Sequence, residues 1–207
     1  MVGNKLSNYK QKRDFRKTSE PSGDEVEFEW ADKRPIFVIQ KHDASNLHYD
    51  FRIEVDGVLK SWAVPKGPST DPSEKRLALP TEDHPLAYAN FEGVIPEVEY
   101  GGGTVMVWDR GSYRNLKEDD DGEDAMSVAE QLEDGHATIW LEGEKLSGGY
   151  ALIRTGGGDD ERWLLIKMDD DEADARRNPT STEPDSAKSR RSLDEIREQE
   201  GDEAQDG

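Results

Sequence analysis

Residues 47–55 read LHYDFRIEV, and the reading of that stretch decides the fold. Side chains of a β-strand leave alternate faces with a period of two. Leu47, Tyr49, Phe51, Ile53 and Val55 therefore share one face, and His48, Asp50, Arg52 and Glu54 share the other. The first face is a core. The second carries an imidazole, a carboxylate and a guanidinium at steps of roughly 7 Å on a rigid element, which suits either a solvated sheet surface or a site.

The neighbouring sequence extends the pattern. Asp56-Gly57 separates this strand from a second alternating run, VLKSWAV (58–64), and an Asp-Gly pair in that position is a strong two-residue hairpin signal. Further short apolar runs at 36–40, 76–79, 104–108, 137–141, 150–154 and 163–167 are divided by turn residues, including Gly101-Gly102-Gly103 and Gly156-Gly157-Gly158. Eight short strands predict a mainly β protein, an eight-stranded barrel. One short helix is expected over 124–133, with Met126, Ala129 and Leu132 on one face and Gly135 as its stop.

Composition bounds the rest. The 207 residues allow one domain of ordinary size plus tails. With no cysteine, a disulfide framework, a thiolate zinc site, an iron–sulfur cluster and a cysteine nucleophile are all excluded, leaving histidine, carboxylate and hydroxyl chemistry. No apolar run reaches the length of a membrane span, and MVGNKLSNYKQKRDF lacks the apolar centre of a signal peptide. A soluble, cytoplasmic monomer is expected. The 47 acidic and 27 basic side chains give a net charge of -20, which suits a surface adapted to concentrated salt. Residues 169–207 carry 14 acidic and 6 basic residues, with Leu193 and Ile196 as their only large aliphatics. The expected division is thus a domain over 1–168 and a disordered acidic tail over 169–207. KEDDDGED (117–124) reads as an exposed acidic loop.

The polar face of LHYDFRIEV gains meaning from its surroundings. His42 lies six residues before His48, at the exit of the preceding strand, and HDASNLH can fold back between them. His42, His48 and Asp50 could then share a divalent cation. Two imidazole nitrogens and one carboxylate suit manganese, iron or zinc and leave coordination positions open. From Lys33 to Arg76 there are 8 basic and 6 acidic residues, a local net of +2 in a chain of -20. Arg52, on the face of His48 and Asp50, has the planar fork that matches phosphate oxygens. The pattern fits a small anionic site rather than a broad nucleic-acid groove. In TEDHPLAY (81–88), His84 precedes Pro85 and is expected to be extended, with its ring directed into the site. It could serve as a third imidazole ligand, a phosphate contact or a proton donor. His136, in the turn DGHAT, is expected to have no role.

Taken together, KRDFRKTSEPSG (12–23), FVIQKHDASNLHYDFRIEVDGVLKSWAVPKGPS (37–69), EDHPLAYANFEGVIP (82–96) and YGGGTVMVWDRGSY (100–113) resemble the 3′-phosphoesterase domain of the DNA ligase D family. The resemblance covers roughly residues 5 to 170. It implies a β-barrel with an apolar inside and a polar site on its surface. It also implies a manganese-dependent enzyme of DNA repair, one that removes a 3′-terminal ribonucleoside from a primer strand and hydrolyses the remaining 3′-phosphate to a 3′-hydroxyl. Position by position, the family's metal ligands fall on His42, His48 and Asp50, and its phosphate-binding and catalytic contacts on Arg52, His84 and Tyr88. Gln40, Lys66, Arg76 and Glu82 match secondary site positions, and Asp14 and Glu20 match acidic positions linked to the ribonucleoside-removing step. The sequence departs from the family at Val98, where glycine is usual, which puts in question a turn that needs a positive φ.

Two other functions compete. A non-catalytic DNA-end-binding adaptor would hold the phosphate without turnover. An Fe(II)-dependent oxygenase would use His48, Asp50 and a distant His84, with no need of His42. The chain has no room for ligase or polymerase modules and is expected to stand alone. Its implied partners are the 3′ ends of primer-template nucleic acid and, in trans, ligase, polymerase and Ku-like end-joining proteins. The acid-rich composition predicts that thermal stability rises between low and molar salt, and a melting temperature that falls over that range would refute the salt-adapted reading.

Overall fold

The computed structural model describes residues 5–24, 34–117 and 125–201, and the acidic run at 118–124 and the expected helix start at Asp124 lie outside them. Nine strands form one antiparallel sheet: β1 (Ile36–Asp43), β2 (Leu47–Val55), β3 (Val58–Val64), β4 (Lys75–Pro80), β5 (Gly93–Ile95), β6 (Gly103–Asn115), β7 (His136–Gly143), β8 (Ser147–Arg154) and β9 (Trp163–Lys167). Their order is β1-β2-β3-β4-β9-β8-β7-β6-β5, and β1 also pairs with β6. That last pairing closes an eight-stranded barrel, with the short β5 appended on the far edge of β6. All eight expected strands are present. The three-residue β5 carries too little alternation to be read from sequence.

The hairpin at Asp56-Gly57 forms as expected, with φ of 51° and 80° at the two turn residues, the pair of positive angles that matches strand twist. Inside the ring, every one of its strands contributes to a single core, from Phe37 and Ile39 through Phe51, Trp62, Ala78, Leu165, Leu152 and Ile139 to Trp108. The barrel interior is filled with these side chains. The helix Val128–Asp134 is capped by Ser127 and Glu130 reciprocally and stopped by Gly135 at φ 85°.

A second apolar cluster lies on the outer face of β1, β3 and β6. Tyr9, Ile36, Val38, Leu59, Tyr88, Phe91, Ile95 and Val107 pack there. The split between the clusters follows strand parity, and a bulge in β6 preserves it: Ile39 pairs with Asp109 while Gln40 pairs with Val107, so Trp108 is the extra residue. Trp108 enters the barrel and Val107 the outer cluster.

Over residues 169–201 the structure differs from the expected disordered tail; only 202–207 lie outside the described residues. This segment runs as a strap along the barrel. Asp174 N–H donates to Thr70 O (2.9 Å) and the Trp108 indole donates to Glu183 O (2.8 Å). Ala187 N–H donates to Val107 O (2.9 Å). On the side of β6 away from β1, β5 covers 103–105 and β7 covers 111–115; the strap occupies the gap between them. The strap ends in the helix Leu193–Gly201, whose Ile196 is wholly buried in the barrel core. Composition missed this because the strap is held mainly by backbone hydrogen bonds and a few small apolar anchors.

The strap is therefore part of the folded unit. A chain ending at residue 168 should unfold at markedly lower urea than the full chain, and Ile196→Ala should cost about 2–5 kcal/mol. Equal urea midpoints for the full and shortened chains would contradict the packing described.

Candidate phosphate and metal site

The site lies on the outer face of the barrel, beside the second apolar cluster. Register builds it: His42 pairs with His48 and Gln40 with Asp50 across β1 and β2, so their side chains leave the same face as Arg52. Because HDASNLH turns back within three residues (44–46), the imidazoles of His42 and His48 meet with ring centroids 4.8 Å apart.

His42 Nδ1 lies 3.5 Å from Asp50 Oδ2, and His48 Nε2 lies 3.6 Å from Asp50 Oδ1. Ligand atoms of these three residues all fall within 4.8 Å of one another. At metal–ligand bonds of about 2.0–2.2 Å, neighbouring donors sit roughly 3.0–3.5 Å apart, so the cluster fits a divalent cation with little adjustment. The outer ring nitrogens are already committed. His42 Nε2 is 2.9 Å from Gly101 O, and His48 Nδ1 is 2.9 Å from Asn46 O. A carbonyl can only accept, so Nε2 of His42 and Nδ1 of His48 each carry a proton, and the other ring nitrogens face Asp50. Backbone carbonyls that fix histidine tautomers in this way are a common support of metal ligands. Gly101 reaches His42 from a left-handed φ of 77°, a conformation open to glycine.

Burial alone would push the Asp50 carboxyl up, but Arg52 and the two histidines outweigh it and hold it well below the usual carboxylate range. For His48, burial works against charge and Asp50 works more strongly for it, so its pKa is raised. A cation binding there must displace that proton.

Arg52 joins this cluster to its neighbours. Its Nη2 donates to Asp50 Oδ2 (3.1 Å), its Nε to Gln40 Oε1 (2.8 Å), and its Nη1 lies 3.0 Å from His84 Nδ1. Its guanidinium sits over the Tyr88 ring at 5.0 Å. Gln40 donates both amide hydrogens, to Tyr88 O and Phe91 O, so it holds Arg52 and has no donor left for a ligand. His84 is delivered by an antiparallel bridge to Leu59 of β3, extended as expected before Pro85. It stands outside the three-residue cluster, which includes His42. The oxygenase reading, built on His84 without His42, gains no support from this grouping.

Arg13 is the site residue that sequence reasoning missed. The N-terminal segment crosses the outer face with Tyr9 wholly buried and sets Arg13 Nε on Glu20 Oε1 (2.8 Å) and its Nη1 on Glu82 Oε1 (3.0 Å). Its Nη2 lies 3.4 Å from His84 Nε2. The signal lay in residues 10–17, five basic and one acidic in a chain of net -20.

His84 is thus an imidazole between two guanidinium groups. Its Nδ1 also lies 2.8 Å from Glu82 O, which only an N–H can satisfy. The proton therefore belongs on Nδ1, and Nε2 offers its lone pair toward Arg13. Burial, then Arg52 and Arg13, lower its pKa well below the ordinary value. The Tyr88 hydroxyl donates to Glu20 Oε1 (2.9 Å), and burial with that carboxylate raises its pKa far up, so it acts as a neutral donor. Glu82 bridges Arg13 and Lys12.

The remaining expected residues make no hydrogen bond or ion pair to the cluster. Asp14 is ion-paired with Arg16 at the surface. Arg76 pairs with Glu74 at 2.5 Å and lines a small polar cavity with Ser69, Asp71 and Arg177. Lys66 is exposed just past β3, at the end of the sheet where Val64 pairs with Tyr49, the residue after His48, and makes no hydrogen bond or ion pair to the cluster. Val98 is 91% exposed, and it is not among the residues with positive φ, so the substitution for glycine leaves the turn unstrained. His136 is exposed at the start of β7, away from these groups.

A closed β-barrel bearing a histidine–carboxylate cluster against buried arginines presents a candidate divalent-cation site beside anion-binding groups. The family comparison agrees: residues 40–154 match the DNA Ligase D 3'-phosphoesterase domain. The chain belongs to that family. It is 50% identical over 193 residues to the multifunctional non-homologous end joining protein LigD of Pseudomonas aeruginosa, covering 91% of this chain and 22% of that protein. It is 43% identical over 173 residues to the corresponding DNA repair protein of Mycobacterium tuberculosis, covering 81% of this chain and 20% of that one. The chain spans about a fifth of the length of these curated relatives. Among the described residues no helix is long and apolar enough to cross a membrane.

The His84 environment sets a pH dependence. Unfolded, the ring binds a proton near 6.5; folded, it does so only well below that value. Stability due to this residue is therefore lost as pH falls below about 6.5, since the unfolded state then binds the extra proton. His48 has the opposite sign, so the test is the difference: urea unfolding between pH 7.5 and 5 should show a shallower acid decline in His84→Gln than in the unaltered chain. Parallel declines would contradict a neutral His84.

Proposed function

We propose that this protein is a manganese-dependent 3′-end-healing phosphoesterase, removing a 3′-terminal ribonucleoside from a DNA or RNA primer strand and hydrolysing the resulting 3′-phosphate to a 3′-hydroxyl during DNA repair. The observation that carries the reading is the continuity of the site: the open donors of His42, His48 and Asp50 adjoin Arg52, and Arg52 adjoins His84 and Arg13. A cation held by the three ligands would supply Lewis-acid polarisation of a phosphate oxygen.

The chain's own residues account for the rest. Arg52 donates one hydrogen each from Nε and Nη2 within the protein, and because His84 Nδ1 carries its own proton, Nη1 finds no acceptor there, leaving three hydrogens on the terminal nitrogens for non-bridging oxygens. Because Gln40, Asp50 and the Tyr88 ring fix its plane, those donors are in place before charge develops, which is where preorganised groups lower a barrier. His84 enters as a neutral imidazole whose Nε2 lone pair faces Arg13, so it positions the two guanidinium groups without adding a third positive charge. Glu20 and Glu82 hold Arg13 beside it. Asp14, Lys66 and Arg76, none of them bonded to the cluster, would join only through contacts with the strand itself. End-joining partners such as ligase, polymerase or Ku-like proteins remain part of this proposal on family grounds.

The test is a 5′-labelled primer ending in a 3′-phosphate or a single 3′-ribonucleotide, annealed to a longer template. Conversion to a 3′-hydroxyl should require manganese, vanish in His48→Ala, and fall at least about a hundredfold in Arg52→Lys, which loses the fork. Binding of the end without conversion under any divalent metal would instead support the adaptor.

A further inference from the structure

We propose that Tyr100 is the subsite for the nucleobase of the nucleotide that carries the 3′-phosphate, an inference that rests on the function proposed above. Among the described residues it is the only aromatic side chain that is exposed, at 48%. The neighbouring Gly101 places its carbonyl on the cluster histidine His42, so the loop that carries the ring adjoins the cation ligands. It is also held still. Its hydroxyl accepts from Lys12 Nζ at 3.1 Å, Lys12 lies 4.5 Å and Arg13 5.6 Å from the ring centroid, and turns at Glu99 and Gly102 fix the loop backbone.

Lys12 connects this ring to the phosphate side of the site, since its ammonium also pairs with Glu82, which holds Arg13 beside His84. A phosphate seated between Arg52 and Arg13 would therefore leave its nucleoside at the edge where Tyr100 stands. An exposed aromatic ring stacks on any base, because every base presents a π-face. Tyrosine loses little conformational entropy in doing so. The side chain thus gives affinity for a base-bearing end without choosing among sequences, which is what a general end-processing site requires.

The experiment uses the full chain and an oligonucleotide ending in 2-aminopurine with a 3′-phosphate, beside a second whose terminal nucleotide is abasic with the same phosphate. Binding should quench the 2-aminopurine. Tyr100→Leu should abolish the quench and weaken binding about tenfold, Tyr100→Trp should restore both, and the abasic end should bind the Leu variant and the unaltered protein alike. In turnover the Leu variant should show the loss in KM rather than kcat. Equal weakening for abasic and base-bearing ends would overturn the proposal, because Tyr100 would then act only by holding Lys12. So would unchanged binding of the base-bearing end. A quench that persists without any manganese-dependent turnover would defeat the phosphoesterase reading and leave the base subsite standing, whereas turnover without a quench would do the reverse.

Discussion

A guanidinium buried on the outside of a barrel is the constraint around which the outer layer is arranged. Arg52 is 3% exposed, and an arginine taken out of water is tolerable only if its charge and donors find partners. Its partners come from three separate stretches: Gln40 on β1, Asp50 on its own strand, and the segment bridged to β3, which brings both His84 and the Tyr88 ring. Each demands a piece of topology. A one-residue slip between β1 and β2 would carry Gln40 and His42 to the barrel interior. Loss of the Leu59–His84 bridge would remove both His84 and the turn that brings in Tyr88. The second apolar cluster exists beside this group, so that the pairing occurs away from bulk water.

The division of labour between the faces explains why the barrel can be both well packed and functional. Inner positions of all eight ring strands go to one core, leaving the outer positions of β1 and β2 to chemistry. Closure is harder to achieve than packing, since β6 must pair with β1 along one side while its other side is covered by β5 and β7 only near its ends. The bulge at Trp108 and the strap answer this together. Val107 N–H donates to Glu92 (2.9 Å) and Val107 O accepts from Ala187, so the backbone at the bulge is satisfied by groups from either side. What looks like an acidic appendage is therefore a missing portion of barrel wall.

That contrast shows what a sequence discloses. The strands and the His48–Asp50–Arg52 face were legible because a period of two needs only local spacing, and the Asp56-Gly57 hairpin because its residues suit positive φ. The His42–His48 pairing was legible because its loop is short. Arg13 was not, since nothing in its own surroundings tells that the N-terminal segment crosses β1 and β3. Nor was the strap, whose anchors are the Trp108 indole, Thr70 and Val107 O, groups that belong to distant strands and carry no mark in residues 169–201. Local alternation reveals which faces exist. It does not reveal what comes back to cover them.

The charge inventory of the site bears on how a protein of net charge -20 could hold a phosphate. Lys12, Arg13 and Arg52 are matched by Glu20, Asp50 and Glu82, each in direct contact with one of them. Three positive and three negative groups cancel, so the side chains offer oriented donors but no net attraction. Long-range repulsion from the acidic surface is screened beyond about 8 Å at physiological salt, while contacts inside a buried cluster are screened much less. Under the proposed reading, anion binding here is coupled electrostatically to binding of the divalent cation by His42, His48 and Asp50, whose charge tips the balanced cluster positive. Such a site has no hold on the length of a nucleic-acid strand, where attraction would have to act at a distance. Under the same reading it can grip only a phosphate brought into contact with Arg52, His84 and Arg13, and a 3′ terminus is the place where a phosphate can reach them without the rest of the strand following.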